Sequence, residues 1–560
     1  MTTRTAELPA VLERLNRFES RKRRLKQAVS VALALINSLI LMGQSAGENN
    51  DSRESRAEVA KEMRTQNAAE PLPAEIRAIM ESPRYRNSRW GIYVADRATA
   101  DVLYDLNGSE IFIPASTTKL FAGSAALDAL GPDYRFATPV YRRGPIGAQG
   151  DLEGDLILVA SGDLTMGGRD TPAGHIDFTS IDHINAAAAP IATLTPEDPL
   201  AGLNDLAQQV AATGIRHVTG NVIIDARLFP PMTKDGYILT PIWINDNLID
   251  LTIRPGSVGQ PATLDWRPHT AAYEVQADVR TVAAGEPLEV TANSPRPGQI
   301  VVHGQIPIDK TQLVRMQQVD DPPAFARTLF IEALKRQGIL VDASPTGGNP
   351  AEQLPPKGTY KEEDRVGVHR SLPFAENLKL IFKTSHNQHA DMLIYLLALK
   401  HGKTTFDEGM QEILPFLAKT GINEDAVWLS DGRGNESTDL FSPRTITQLL
   451  CYMATRQDFG AFHDALSVLG VDGTEADTVT PTSPVRGMAV AKSGLTLAEE
   501  LMHSRLIMMT RALAGYMTAQ SGRELVFAIY VNYVPGAKIE DLFAVAGEQG
   551  KMVEAIYHHN

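Results

Sequence analysis

Ile111-Phe112-Ile113-Pro114-Ala115-Ser116-Thr117-Thr118-Lys119-Leu120 leads into an Ala/Leu-rich helical stretch that continues to Leu130. Pro114 and Ser116 are favourable residues at a helix start. Ser116-Thr117-Thr118-Lys119 has the spacing S-x-x-K. On a helix, residues three apart share one face and their side chains reach each other. A lysine hemmed in by apolar walls and a second cation is driven toward its neutral form. It can then take the proton of a serine hydroxyl. The helix N-terminus favours the negative charge that develops on that oxygen. Alone, the tetrapeptide is more often a capped helix start than a nucleophile.

Two further segments change that balance. Ser385-His386-Asn387 reads S-x-N, between helical stretches at Phe374–Lys383 and Ala390–Leu399, and Lys492-Ser493-Gly494 is a strand-borne variant of K-T-G. A loop Ser and Asn can relay a proton and hold a substrate amide. Lys492 and Ser493 can bind a carboxylate through ammonium and hydroxyl, and Gly494 lets a substrate backbone lie against the strand edge. The backbone N–H groups of Ser116 and Leu495 are candidates for an oxyanion hole. S-x-N alone is ordinary turn chemistry, and K-S-G alone is a surface turn. The three in order, each in its expected setting, argue for nucleophilic catalysis.

Around the trio, Ala74–Ser82 predicts a short helix, and Trp90–Ala95 with Ala100–Asp105 a hairpin. From about Tyr134 the texture turns to short strands and turns. Asp151–Ala160 and His217–Asp225 resemble each other: turn, glycine, apolar strand. Leu200–Thr213 between them is an amphipathic helix stopped by Gly214. Thr252–Ile308 reads as a small β module, and Pro322–Gln337 as a helix capped by Asp320 or Asp321 and stopped by Gly338. Helices return near Pro373, and Met488–Ala491 and Leu525–Asn532 are strands. The expected fold is α/β (α+β): a serine acyl-transferase domain at 74–134 and 366–560, interrupted at 135–365 by a β-rich insertion of one or two modules.

The chain resembles the low-molecular-mass class C penicillin-binding proteins, the D-alanyl-D-alanine carboxypeptidase/endopeptidase family. Beyond the trio, the resemblance is carried by Pro114–Leu120, Gly154–Thr165, Asp431-Gly432-Arg433-Gly434 with Ser442-Pro443-Arg444, Val471–Thr474 and Ala512–Asn532, and spans about 74–550. It implies a transpeptidase/β-lactamase-like domain with extra domains inserted between the first two motifs. It implies Ser116 as acylated nucleophile, Lys119 as its base, and Ser385, Asn387 and Lys492 as further site residues. The substrates implied are peptidoglycan peptides ending in D-Ala-D-Ala, with β-lactams as covalent inhibitors. A β-lactamase or esterase, or a catalytically silent wall-binding protein, are the alternatives. Three departures stand out: Ser493 in place of Thr, the charged Arg433 and Glu436 expected at the cleft rim, and extra length around Leu497–Met508.

The 560 residues carry 53 basic and 67 acidic side chains, a net charge of −14, which argues against nonspecific nucleic-acid binding. One cysteine, Cys451, excludes a disulfide framework and is expected as a small buried hydrophobe. Residues 1–27 carry eight Arg/Lys and three Glu, followed by an uncharged apolar segment to 46. Residues 1–46 therefore read as a secretory signal or an uncleaved anchor, with a linker at 47–73. Export to the periplasm or cell envelope follows, with attachment by this segment as a variant. Gly43-Gln44-Ser45-Ala46-Gly47 matches a nucleophile elbow but lacks the strand and helix that motif needs. The His386/His389 pair, with Asp391 after it, hints at a metal, but no third ligand is apparent and the histidines read as solvated loop residues. No metal or other cofactor is expected.

Overall fold

Leu525–Val531 lies at the centre of the fold because both faces of this strand are apolar and buried. Val526, Ala528 and Tyr530 enter one core, whereas Leu525, Phe527, Ile529 and Val531 enter another. A strand with that pattern belongs inside a sheet covered on both sides. The computed structural model describes residues 70–560, apart from 188 and 538. The expected signal or anchor at 1–46, the elbow-like Gly43–Gly47 and most of the 47–73 linker lie outside the described residues.

The central sheet has six strands: β1 (Arg89–Asp96), β2 (Val102–Leu106), β3 (Ser467–Val468), β4 (Ala489–Glu500), β5 (Arg505–Thr518) and β6 (Glu524–Ala537). Their order is β2-β1-β6-β5-β4-β3, every pair antiparallel. β1 runs beside β6 from Arg89 opposite Asn532 to Asp96 opposite Leu525. One face is covered by α1 (Lys119–Leu130), α2 (Phe374–Lys383), α3 (Asn387–Lys400) and the helix Pro443–Ala454. The other face is covered by Ala74–Met80 and by the C-terminal helix Ile539–His559, through Val545, Met552, Val553 and Ile556. α1 begins directly after a 3-10 turn at Ala115–Thr118, so Lys119 is its first residue.

Among the described residues, no strand between Ala137 and Arg370 joins the central sheet. These residues form sheets of their own around a separate apolar core that includes Leu156, Ile224, Leu251, Ile300 and Phe330. The two look-alike segments pair side by side: Asp151–Leu152 runs parallel to His217–Val218, and Asp155–Val159 parallel to Val222–Asp225, at one constant offset. Two three-stranded sheets follow, one built on Leu248–Arg254, Thr263–Arg267 and Leu313–Gln318, the other on Glu274–Val282, Glu289–Arg296 and Gln299–Pro307. The β module thus reaches past Thr252–Ile308 at both ends. Asp321 caps the helix Pro322–Arg336 by accepting from Ala324 N at 3.0 Å. Strand Arg365–Arg370 pairs with Ala137–Arg143, so this sheet runs a few residues beyond 365.

Two local expectations need correction, and one is given its form. α3 starts at Asn387, because His386 supplies its cap, and the loop between α2 and α3 shrinks to Thr384–His386. Cys451 is only half-buried, on the Pro443–Ala454 helix. The extra length near Leu497–Met508 is a long hairpin of β4 and β5 whose tip exposes Leu501 and Met502.

Gly515 marks where the sheet has least room. A Cβ there would lie 2.0 Å from the Val490 carbonyl oxygen and 2.7 Å from Ala491 Cα. Backbone atoms of a paired strand cannot step aside as a side chain can. Gly515→Val is expected to destabilise by at least about 1–3 kcal/mol, the range for overpacking. A lowered thermal midpoint in calorimetry checks this, and an unchanged midpoint would contradict it.

Candidate active site

Ser116, Lys119, Ser385, Asn387, Lys492, Ser493 and Gly494 come together at the junction of α1, α3 and β4. Lys119 is fully buried, while Ser116 is half-exposed. Lys119 Nζ lies 2.8 Å from Ser116 Oγ, 2.7 Å from Asn387 Oδ1 and 3.0 Å from the Arg433 carbonyl oxygen. Burial pushes the Lys119 amine well below its ordinary pKa, and the charge of Lys492 pushes it further, with Asp431 and Asp391 opposing. A neutral amine has two N–H bonds and one lone pair. Two carbonyl acceptors can take both N–H bonds, which leaves the lone pair facing the Ser116 hydroxyl. That is the arrangement a proton-accepting lysine requires.

The second lysine is equally buried. Lys492 Nζ donates to Ser385 Oγ at 2.9 Å and to the Ser493 carbonyl at 2.7 Å. Burial lowers its pKa to about 7; Glu475 opposes this and Arg511 adds to it. Glu475 and Arg511 are themselves paired at 3.2 Å beneath the strand. Ser493 Oγ is 3.1 Å from Thr474 Oγ1, so the hydroxyl retained at this position is oriented by a second one. Gly494 passes flush against the nucleophile's turn: a Cβ there would meet Pro114 O at 2.4 Å and Ser116 N at 2.9 Å. Leu495, the next residue, is 41% exposed and stands at the cleft edge.

Strained backbone surrounds these groups. Ala115 (φ 45°) and Ser385 (φ 59°) are left-handed without being glycine. Each such residue costs about 1–2 kcal/mol and persists only where its surroundings hold it. Gly434 (φ 89°) is glycine of necessity, since a Cβ would fall 1.8 Å from Ala115 O. This contact brings the Arg433 carbonyl onto Lys119.

Arg433 is not a rim charge. Its side chain is buried among carboxylates, 3.2 Å from Asp391 and 3.3 Å from Asp431, and it also pairs with Asp235 of the inserted region. Burial and the neighbouring Asp431 raise the Asp391 carboxyl to about 7. Glu436 is half-exposed and pairs with Lys234 at 3.1 Å. The Asp-Gly-Arg-Gly motif was visible in the sequence, but the role of a backbone carbonyl in it was not.

His386 and His389 are fully buried rather than solvated, and the inserted region adds a carboxylate, Asp246, to them. The three offer one ligand atom each within 4.8 Å of one another. They fit a metal poorly. His386 Nδ1 accepts from the His389 backbone N–H at 3.3 Å, so ligation through Nε2 would put the ring proton against that N–H. His389 Nδ1 has no hydrogen-bond partner, where a ligating histidine needs one. Asp391 lies apart from them and accepts from Gly432 N at 3.0 Å.

The two lysines set opposite pH limits. Lys119 must be neutral to accept a proton, and Lys492 must be charged to hold a carboxylate. Acylation of Ser116 by a carboxylate-bearing β-lactam should therefore fall at low pH as Lys119 is protonated. It should also fall as pH rises through the lowered Lys492 value of about 7. The second-order acylation rate measured against pH checks this; a rate still climbing well above neutrality would contradict it.

Comparisons with known proteins give the family. Residues 72–550 match the model of the D-Ala-D-Ala carboxypeptidase 3 (S13) family. The chain is 27% identical over 508 residues to a D-alanyl-D-alanine carboxypeptidase of an Actinomadura species, covering 85% of this chain and 84% of that one. It is 24% identical over 465 residues to D-alanyl-D-alanine carboxypeptidase DacB of Haemophilus influenzae, covering 77% and 82%. The crystal structure of penicillin binding protein 4 (dacB) from Haemophilus influenzae superposes with a TM-score of 0.63 at 21% identity, over 86% of this chain and 99% of that one. With the family model matching residues 72–550, nearly everything after the linker, the chain belongs to the D-Ala-D-Ala carboxypeptidase 3 (S13) family.

Proposed function

We propose that the chain is a serine-type D-Ala-D-Ala carboxypeptidase or D,D-endopeptidase that acts on peptidoglycan stem peptides and is acylated by penicillin. The observation that carries this is the buried Lys119 amine, 2.8 Å from Ser116 Oγ with both its N–H bonds engaged elsewhere. Ser116 Oγ attacks the carbonyl of the penultimate D-Ala, and its proton passes to Lys119. The C–N bond breaks as the proton taken from Ser116 passes from Lys119, with Ser385 Oγ as the relay, to the leaving amine, which returns Lys119 to its neutral form. Water then cleaves the acyl-enzyme ester and regenerates Ser116. The backbone N–H groups of Ser116 and Leu495 stabilise the oxyanion, while Lys492 and Ser493 hold the terminal carboxylate and Asn387 the substrate amide.

A structure of the Haemophilus influenzae protein complexed with a β-lactam, similar in fold at a TM-score of 0.61, supports binding of this drug class. Peptidoglycan lies outside the cytoplasmic membrane, so this substrate places the enzyme in the envelope. The basic and apolar N-terminus supports export, either cleaved or kept as an anchor. Among the described residues, no helix is long and apolar enough to cross a membrane.

Penicillin is expected to add its mass to Ser116 and to leave slowly. Ser116→Ala should abolish both labelling and D-Ala release, and Lys119→Ala should be nearly as damaging, because nucleophile and base act as a unit. Lys492→Ala should weaken recognition by about 2–4 kcal/mol, as for a buried charge-assisted pair. Peptide mapping of the adduct together with D-Ala release from a D-Ala-D-Ala peptide reads all three. An adduct on another serine would overturn the assignment, and rapid turnover of penicillin would make the chain a β-lactamase.

A further inference from the structure

We propose that the inserted region positions the Ser385-His386-Asn387 motif through Asp246, which fixes the tautomer and orientation of His386. The inference rests on the acylation chemistry proposed above. Asn245, Asp246 and Asn247 are three successive residues with φ 53°, a costly backbone that asparagine and aspartate tolerate best. The loop is pinned on both sides: Asn245 Nδ2 donates to the Leu248 carbonyl at 2.9 Å, and Asn247 Nδ2 to the Ile242 carbonyl at 3.0 Å. The result is a buried carboxylate presented to the back of the active-site motif.

The two oxygens of Asp246 have separate tasks. Oδ2 accepts from Arg169 Nη2 at 2.8 Å and faces His183 Nε2 at 2.8 Å. Arg169 is also held by both oxygens of Asp182 at 2.8 Å, and the other ring nitrogen of His183 sits 2.7 Å from Asp250 Oδ1. This network belongs entirely to the inserted region and anchors the carboxylate. Oδ1 lies 3.2 Å from His386 Nε2 and 2.8 Å from His389 Nε2; all three atoms are buried with no regular hydrogen bond, so carboxylate and rings meet in a close electrostatic contact.

His386 sits between the two motif residues that touch the lysines, and its ring faces the opposite way. Its Nδ1 caps α3 by accepting from His389 N at 3.3 Å. That nitrogen must therefore be unprotonated, and the single ring proton belongs on Nε2, beside Asp246 Oδ1. Burial and the neighbouring His389 push the His386 pKa down to about 3, so the ring is neutral and one tautomer has to be selected. Asp246 selects the one that caps. The cap sets where α3 begins, and its first residue is Asn387, 2.7 Å from Lys119 Nζ. On the other side, Ser385 is held at φ 59°, 2.9 Å from Lys492 Nζ. Asp246 touches neither lysine nor serine and is a positioning residue.

The test uses the full chain and the rate of penicillin acylation. Wild-type protein must first label on Ser116; failure there sinks the catalytic assignment and not this one. Asp246→Asn is expected to remain folded by circular dichroism, to label the same serine, and to acylate about 10- to 100-fold more slowly, the scale of a misplaced catalytic group. His386→Ala should lose a comparable factor, and His386→Asn should recover most of it, since asparagine caps a helix without needing a tautomer. In the His386→Asn background, Asp246→Asn should cost almost nothing further, because the two act along one path. Multiplying losses, or wild-type acylation by Asp246→Asn, would overturn the proposal. Should Asp246→Asn not fold, the comparison of His386→Ala with His386→Asn decides alone, and equal rates overturn it. Wild-type acylation should also be indifferent to a chelator or to added zinc; a dependence on either would make the cluster a metal site instead.

Discussion

A lysine amine taken fully out of water next to a second buried lysine is an unfavourable arrangement, and the active site is built around keeping it so. Lys119 is tolerated because neutralising it is easier than hydrating it, and because its N–H bonds find Asn387 and the Arg433 carbonyl. Those acceptors come from two distant segments. One needs α3 to start at Asn387, and the other needs Gly434 to slide under Ala115. The central sheet, with both faces covered, is the frame rigid enough to hold α1 and β4 at that separation.

Electrostatics around the pair follow from the same need. Asp391 and Asp431 sit close enough to moderate the field on Lys119, and Arg433 neutralises them in turn. Glu475, compensated by Arg511, does the corresponding work near Lys492. Charged side chains at full burial are costly unless paired, and breaking such pairs leaves an uncompensated charge. The cluster therefore behaves as one unit, to which the inserted region supplies Lys234 and Asp235.

Much of this was legible in the chain. Ser116, Lys119, Ser385, Asn387 and Lys492 announce themselves by spacing and order, and the two-sided apolar pattern of Leu525–Val531 marks a central strand. What stayed hidden depends on contacts between segments far apart. His386 and His389 are polar residues between two helices, which ordinarily means solvent; only the approach of Asp246 makes them interior. Arg433 looks like a surface charge until Asp391, Asp431 and Asp235 gather round it. An acceptor that is a main-chain carbonyl leaves no mark in residue types at all. The β module ran beyond its expected ends because Leu313–Gln318, past a turn, returns to pair with Leu248–Arg254.

The pairing of β1 with β6 has a consequence for when the protein can act. Arg89 lies opposite Asn532, so nearly the whole chain must be present before the second neighbour of β1 arrives. Ser116 and Lys119 are made early, whereas Asn387 and the Arg433 carbonyl, which hold the Lys119 amine, are made after the entire insertion. Closing so long a loop is slow. A partly synthesised chain therefore holds Ser116 and Lys119 without the acceptors that orient the amine, which leaves the serine unassisted until the second half of its domain has folded.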